Sequence, residues 1–352
     1  MPKKYSAAVI GAGGGGKASL KGLSDSDRYN LLAVTDLSSE VQAEIKGIYP
    51  NIQTFSNHRD MFAQCPTDIV CVSTWPPSHL EITRDALNTL PLTGIVVEKP
   101  LADNAADGRT ICNLIHEKNL PVVVPHGLMV SEHIDHIIAH THNGDLGDIK
   151  LIEIQCTNWD IINAGIHWLN FVVNLVNEPF DHVLAACDKT TRTYRDGMQV
   201  ETLSATTLQT KSGIRIVMHI GDHVTLNSDG PVVFRILGTQ GDIEFYGWRS
   251  AYRIRNANHP NGELIEVPTD TRSRHQRHLE NLAVQMDNGE TNYDLIESSW
   301  TALELCEAAY VSARHGCAIS FPLADFPIPE PNDWAPGIPY SGSGGGRNGR
   351  KL

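Results

Sequence analysis

The first 125 residues alternate two kinds of segment, and this alternation restricts the fold more than any other feature of the chain. Short apolar runs at 6–10, 31–35, 52–55, 68–73, 94–97 and 121–124 are separated by helix-like stretches at 15–23, 38–47, 58–64, 78–90 and 104–118. The run at 68–73 is continuous and β-branched, as a strand buried on both faces requires. Ser38, Asn57, Pro77 and Asp103 stand where helix caps or first-turn residues belong. Strands alternating with helices at this spacing form a parallel sheet covered on both faces. Right-handed crossovers make that sheet doubly wound.

After residue 125 the rhythm changes. Helical patterns at 131–143 and 163–175 flank a long extended stretch at 149–157, and apolar runs follow at 202–209, 214–219, 232–237, 242–245 and 264–267. Strand after strand without intervening helices predicts a mainly antiparallel sheet. Helical segments at 276–287 and 295–315 close this part. Beyond residue 324 proline and then glycine dominate, which reads as an extended arm. The expectation is an α/β chain of three parts: a doubly wound dinucleotide-type domain at 1–125, an α+β domain at 126–323 and the arm at 324–352. A length of 352 residues suits two domains at roughly 150 residues each.

Charge and cysteine usage exclude several classes. Lys+Arg total 28 against 41 Asp+Glu, a formal net charge of −13, and no basic run occurs away from the chain tips. A nucleic-acid binder needs a basic face, so that partner is not expected. No apolar stretch approaches the ~20 residues of a membrane span, and the amino terminus does not read as a secretory signal. The seven cysteines are scattered without a CxxC pair. They read as reduced thiols of a cytoplasmic protein, neither a disulfide framework nor a zinc site.

Gly11-Ala12-Gly13-Gly14-Gly15-Gly16 fits G-x-G-x-x-G. The pattern alone is weak, but here it follows a strand, opens a helix, and precedes an acid, Asp36, that ends the next strand. Glycines at Gly11, Gly13, Gly14 and Gly16 let backbone N–H groups and a helix N-terminus approach a pyrophosphate. Asp36 would accept bonds from the adenosine ribose. Leu37-Ser38-Ser39 follows it with no arginine for a 2′-phosphate, so NAD is expected in preference to NADP. Thr74-Trp75-Pro76-Pro77-Ser78-His79 follows the fourth apolar run, and Glu98-Lys99-Pro100 follows the fifth. Both lie at strand carboxyl ends, where ligands bind in such sheets.

VIGAGGGG, AVTD, STWPPSH, VVEKPLA, GDLGDI, AGIHWLN, RILGTQGDIEF and EAAYVSARHG occur in that order, from the glycine loop to Gly316. Through these pieces the chain resembles the Gfo/Idh/MocA family, the glucose–fructose oxidoreductase and inositol dehydrogenase group. The resemblance implies an NAD(P)-dependent oxidoreductase for sugars or polyols, a Rossmann domain beside an open-faced antiparallel sheet, and a homodimer or homotetramer formed through that sheet. It implies that Lys99 bonds the reacting hydroxyl beside the nicotinamide, that Glu98 shapes its turn, and that Thr74, Trp75, Pro76 and His79 belong to the nicotinamide-side loop. His167 then matches the histidine that serves as acid/base. No metal is implied.

Two departures concern that histidine. Many members carry aspartates four residues before and three after it, whereas here Asn163 and Asn170 stand there. An amide cannot relay a proton at neutral pH, so an Asp–His relay does not carry over intact. Asn163, His167, Asn170 and Asn174 recur at i, i+4, i+7 and i+11, a polar stripe expected to form a substrate wall. Asp160, one turn ahead, is a candidate carboxylate for the site, and His126, ending the sixth strand, a candidate substrate contact. His219, Asp222 and His223 offer further polar groups. Little loop separates residue 157 from the His167 helix, so another piece, such as the arm with Tyr340, Arg347 and Arg350, is a candidate cover.

The expected activity is transfer of hydride to NAD from a small uncharged monosaccharide, an aldose such as D-apiose going to its lactone. Inositol or polyol oxidation and sugar 3-oxidation are alternatives within the same chemistry, as is transient oxidation for glycoside cleavage or epimerisation. A non-catalytic NAD-binding regulator is the alternative from another class, and the presence of both Lys99 and His167 argues against it.

Overall fold

The chain enters as β1 (Tyr5–Ile10), α1 (Gly14–Asp25), β2 (Tyr29–Thr35), α2 (Ser39–Ile48), β3 (Gln53–Phe55), α3 (His58–Gln64), β4 (Ile69–Val72), α4 (His79–Thr89), β5 (Gly94–Val97), α5 (Ala105–Glu117) and β6 (Val122–Val123). These strands form one parallel sheet of order β3-β2-β1-β4-β5-β6. The order reverses between β1 and β4, the switch point of a doubly wound fold. All residues of β4 and β5 are buried, which accounts for their unbroken apolar sequences. Ser38 and Asn57 cap α2 and α3 by accepting from the backbone N–H of Val41 and Arg59. For α5 the cap is Asn104, which accepts from Asp107 N at 2.8 Å, one residue after the expected Asp103. The shorter reach from position 104 to the third helical N–H decides between the two.

The chain continues as α6 (Glu132–His142), β7 (Ile149–Thr157), α7 (Ile166–Val176), β8 (Phe180–Cys187), β9 (Thr193–Arg195), β10 (Met198–Val200), β11 (Leu203–Thr210), β12 (Arg215–Gly221), β13 (Val232–Gly238), β14 (Asp242–Phe245), β15 (Ala251–Arg255), β16 (Glu263–Glu266), α8 (Arg274–Asn288), α9 (Asp294–His315) and β17 (Ile319–Ser320). A nine-stranded sheet runs β16-β15-β14-β13-β7-β12-β11-β8-β17. It is antiparallel except at its centre, where β12 lies parallel to β7. Alternation sets its faces: Ile152, Ile154 and Cys156 of β7 point inward with Ile216, Met218 and Ile220 of β12. On the covered face Trp168 and Phe171 of α7 pack edge-on against Phe234, which stacks on Phe245 with centroids 4.5 Å apart. β9 and β10 form a separate hairpin.

The computed structural model describes residues 3–188, 193–222, 224, 226, 230–325 and 337. His223 and the arm residues Tyr340, Arg347 and Arg350 lie outside them. The described chain divides into two compact units: the stretch up to Gly127 with Thr271–Trp300, and Leu128–Asp270 with the chain from Thr301 onward. The sequence division at 125/126 puts 271–300 with the second part. In the structure Leu279, Leu282 and Ala283 of α8 join Tyr5, Leu20, Leu23, Ile69 and Val96 in the first unit's core. Each such aliphatic side chain contributes roughly 1.5–3 kcal/mol on burial, enough to assign the helix to that unit. Among the described residues no helix is long and apolar enough to cross a membrane.

Candidate active site

Three glycines of the loop after β1 have separate steric reasons. Gly11 has φ +87°, and a Cβ there would lie 2.7 Å from Ser73 O. A Cβ on Gly16 would lie 1.9 Å from Gly11 O. Gly13, the N-cap of α1, makes no side-chain cap bond and has nothing within 4 Å of its Cβ position. The space beside the N-cap of α1 is therefore open, and a helix N-terminus there suits a pyrophosphate. Asp36 braces the loop: its Oδ2 accepts from Ala12 N at 2.8 Å and its Oδ1 from Ser38 N at 2.9 Å. Each carboxylate oxygen keeps a second lone pair for a ribose hydroxyl. These residues fit a bound dinucleotide.

Gly15 is a requirement that the glycine pattern does not distinguish. A Cβ there would lie 2.9 Å from Cδ of Glu98, whose buried carboxylate sits against the loop. His275 of α8 donates to Glu98 Oε1 at 2.8 Å. Burial pushes the Glu98 carboxyl up, but His275, and then the charges of Lys99 and His79, outweigh it and hold the group below its ordinary value. Lys99 is half-buried between two buried neighbours, Glu98 and Pro100. His126 is fully buried, 2.9 Å from Ser299 Oγ, and His278 donates to its carbonyl at 3.2 Å. Burial, then Lys99 and His278, hold His126 well below the usual histidine range, and burial pushes His278 down to about 4. Burial thus holds both rings toward the neutral form.

The loop after β4 divides its residues between surface and interior. Thr74 is half-buried and accepts from Ser78 Oγ at 2.7 Å, and Trp75 is 43% exposed. Pro76 and His79 are buried. The His79 ring lies between two carbonyls, Nε2 at 2.9 Å from Thr74 O and Nδ1 at 3.2 Å from Leu101 O, and burial lowers its pKa. It ties this loop to the turn carrying Lys99. Both His79 ring nitrogens lie against backbone carbonyls, and the Nε2 of His126 against Ser299, inside the ends of the strands.

In the second unit the expected helix from residue 163 is replaced by a wide π-type turn, Ile161–Gly165, ahead of α7. Ala164 N and Gly165 N both reach Asp160 O, at 3.2 and 3.0 Å. The extra residue takes Asn163 off the spacing of α7, so the four-membered stripe does not form a continuous exposed face. Asn163 and Asn170 are buried, and Asn174 donates its amide to Asn170 O at 2.8 Å. His167 is half-buried, edge-on to Trp248 and tilted against Trp168, with centroids 5.9 and 6.0 Å away.

Asp160 caps this turn and is fully buried. Its Oδ1 accepts from Asn163 N at 2.8 Å and from Asn163 Nδ2 at 2.9 Å, and its Oδ2 accepts from Arg195 Nη1 at 2.7 Å. The amide at 163 thus has a specific cause: it donates to a buried carboxylate, which an aspartate cannot do. Asn163→Asp would set two buried carboxylates in contact, so the folded chain must keep a proton on the pair that the unfolded chain releases, at a cost that grows as pH rises. That variant is expected to melt below the wild type, by a margin that widens from pH 5 to pH 8 in thermal unfolding. A margin constant with pH would remove this account.

Among the described residues, His58, Glu81 and Asp85 bring ligand-type atoms within 4.8 Å of one another. Arg59 already pairs Asp85 at 2.8 Å and Glu81 at 2.7 Å, so the group reads as an ion-pair cluster. Sequence reasoning did not find His275, Arg195 or Glu201. For Arg195 a signal was present: Asp196-Gly197, both at positive φ, mark the two-residue hairpin turn between β9 and β10.

Residues 5–126 match the family described as an oxidoreductase family with an NAD-binding Rossmann fold, GFO_IDH_MocA. The uncharacterized oxidoreductase YfiI of Bacillus subtilis (strain 168) is 28% identical over 128 residues, covering 35% of this chain and 30% of that protein. The match therefore spans under a third of that relative's length. An oxidoreductase from Agrobacterium radiobacter, solved with NAD+, L-tartaric acid and magnesium, superposes with a TM-score of 0.77 at 15% identity, covering 90% of this chain and 98% of that one. Aldose-aldose oxidoreductase from Caulobacter crescentus, complexed with glycerol, gives 0.76 at 18% identity over 91% and 100% of the two chains. Levoglucosan dehydrogenase with NADH and levoglucosan gives 0.79 at 14% identity over 91% and 100%. These structures share the fold. Residues 5–126 of the chain thus match the NAD-binding Rossmann fold of the Gfo/Idh/MocA oxidoreductase family.

Proposed function

We propose that the protein is an NAD-dependent dehydrogenase that oxidises a hydroxyl-bearing carbon of a small uncharged monosaccharide, an aldose such as D-apiose going to its lactone. The observation that carries this reading is Lys99: a half-buried cation at the carboxyl end of β5, next to the carboxylate that braces the glycine loop. NAD, when bound, supplies the hydride acceptor. Gly11, Gly13, Gly14 and Gly16 hold its pyrophosphate, Asp36 its ribose, and Thr74 and Trp75 border its nicotinamide end. Lys99 polarises the hydroxyl oxygen and favours its deprotonation. His167 takes the proton as general base. The carbohydrate names of the superposed levoglucosan and aldose enzymes support a sugar over other alcohols. The protein is proposed to work in the cytoplasm, as its free cysteines suit, and as a homodimer or homotetramer. The outward face of the nine-stranded sheet, where Leu184 is 50% exposed, is the proposed contact.

A panel of aldoses, polyols and inositols, scored by NADH absorbance, tests the reading. Turnover of an aldose ahead of the others supports it, and tight NAD binding with no NADH from any member overturns it. Asp36 also sets a cofactor expectation. NAD should be used well ahead of NADP, and Asp36→Ala should erode that preference by about tenfold or more in kcat/KM, because the change removes a ribose acceptor and the repulsion of a 2′-phosphate. Equal use of both cofactors by the unaltered enzyme would remove Asp36 from this role.

A further inference from the structure

The turn before His167 is held by buried polar groups from three other places in the second unit. Ile161 N donates to Glu201 Oε1 at 2.7 Å, just after β10. Ile162 N donates to the hydroxyl of Tyr310 in α9 at 3.3 Å. Asn163 N donates to Asp160, which Arg195 of β9 fixes from the other side. The first three N–H groups of the turn, which no intrahelical carbonyl can serve, thus each have a dedicated acceptor. Arg195 is nearly buried, lies over the Trp159 ring at 5.7 Å, and also approaches Asp222 at 3.6 Å. Such a cluster costs desolvation and adds little net stability over an apolar one of the same volume. What it supplies is a single geometry.

We propose that Asp160, Arg195 and Glu201 are positioning residues that lock the turn Ile161–Gly165 and thereby aim His167 at the hydroxyl it deprotonates. This rests on the reading of His167 as the acid/base. The turn makes one bond wider than an α-helix, so without its fixed acceptors it can relax toward α-helical winding. That relaxation would rotate residues 161–165 relative to α7 and redirect the helix start that bears His167. A displacement of about 1 Å at a reacting group is enough to cost roughly a hundredfold in rate. Asp160, considered from sequence as a substitute carboxylate for the site, has its oxygens committed to Asn163 and Arg195 and acts through the turn instead.

The test is a double-mutant cycle on the full-length enzyme, with NAD and whichever panel sugar reduces it fastest. Arg195→Gln is expected to lower kcat by about tenfold or more with the NAD dissociation constant within about twofold, and Arg195→Lys to recover most of the loss. In a His167→Ala background the Arg195→Gln loss should disappear, because nothing remains to be aimed. Losses that multiply across the two sites overturn the proposal. A His167→Ala enzyme with unchanged kcat overturns the reading of His167 itself, and the proposal with it. Should Arg195→Gln fail to fold, Glu201 carries the same test. Glu201→Ala, which removes the acceptor of Ile161 N, should lower kcat about tenfold, and Glu201→Gln, which keeps an acceptor, should recover it. Equal kcat in Glu201→Ala and the wild type overturns the proposal as well.

Discussion

Lys99→Ala is expected to lower kcat by about 10²-fold or more while leaving the NAD dissociation constant within a few-fold. The two readouts separate because the groups that do the two jobs are separate. The dinucleotide is proposed to be held by the N-terminus of α1 and by Asp36, which braces Ala12 and Ser38. Lys99 sits at the end of β5 beside Glu98 and is proposed to act by charge on the oxygen that loses its proton. One expected side effect is specific. Glu98 loses one of the cations that hold its pKa down, although His275, the larger influence, stays in place. NAD affinity should therefore move only slightly. Fluorescence titration of NAD and initial rates on the same preparations check both. An unchanged kcat would take Lys99 out of the chemistry, and a loss confined to NAD binding would reassign it to the cofactor.

The parallel sheet was legible because its central strands β4 and β5 are buried on both faces and several helices carry their own start signal. Ser38 and Asn57 cap where the pattern put them. The glycine loop and Asp36 were legible for a related reason: a close backbone approach leaves only glycine possible, and glycine shows in a sequence. Gly15 shows the limit of that argument. Its constraint comes from Glu98, 83 residues on, and from His275, 177 residues beyond that. No local pattern records such pairings. The turn before His167 was misread for a physical reason as well. A π-type turn and an α-helix have the same composition and differ by one backbone bond. What selects the wider form here is a set of acceptors at residues 160, 201 and 310, the first of them fixed by a bond that Arg195 donates. The asparagines at 163 and 170 read as part of a polar stripe walling a substrate because their spacing fits an ideal helix, and the structure buries both.

Glu201 carries the second large expectation, in stability rather than rate. It is fully buried, and among the described residues no cation pairs with it directly: Arg195 pairs with Asp160. Burial, and then the Asp160 carboxylate, pushes Glu201 up to about 7, and burial also raises Asp160 against the pull of Arg195. Arg195 favours the negative charge on Asp160, so the proton that the pair keeps below about pH 7 is best placed on Glu201. A carboxyl whose pKa is higher folded than unfolded binds its proton more tightly in the native state. Its contribution is complete below the unfolded value, near 4.5, and is lost as pH rises through the folded one. Between pH 5 and pH 8 the loss amounts to about 2–3 kcal/mol. Glu201→Gln resembles the protonated acid, keeps an acceptor for Ile161 N, and has no proton to lose. Its stability relative to the wild type should therefore climb by about that amount over the same interval, read from denaturant unfolding at each pH. Parallel profiles for the two proteins would mean that Glu201 is already ionised in the native state at pH 5, and that the buried pair is balanced by some group other than its own proton.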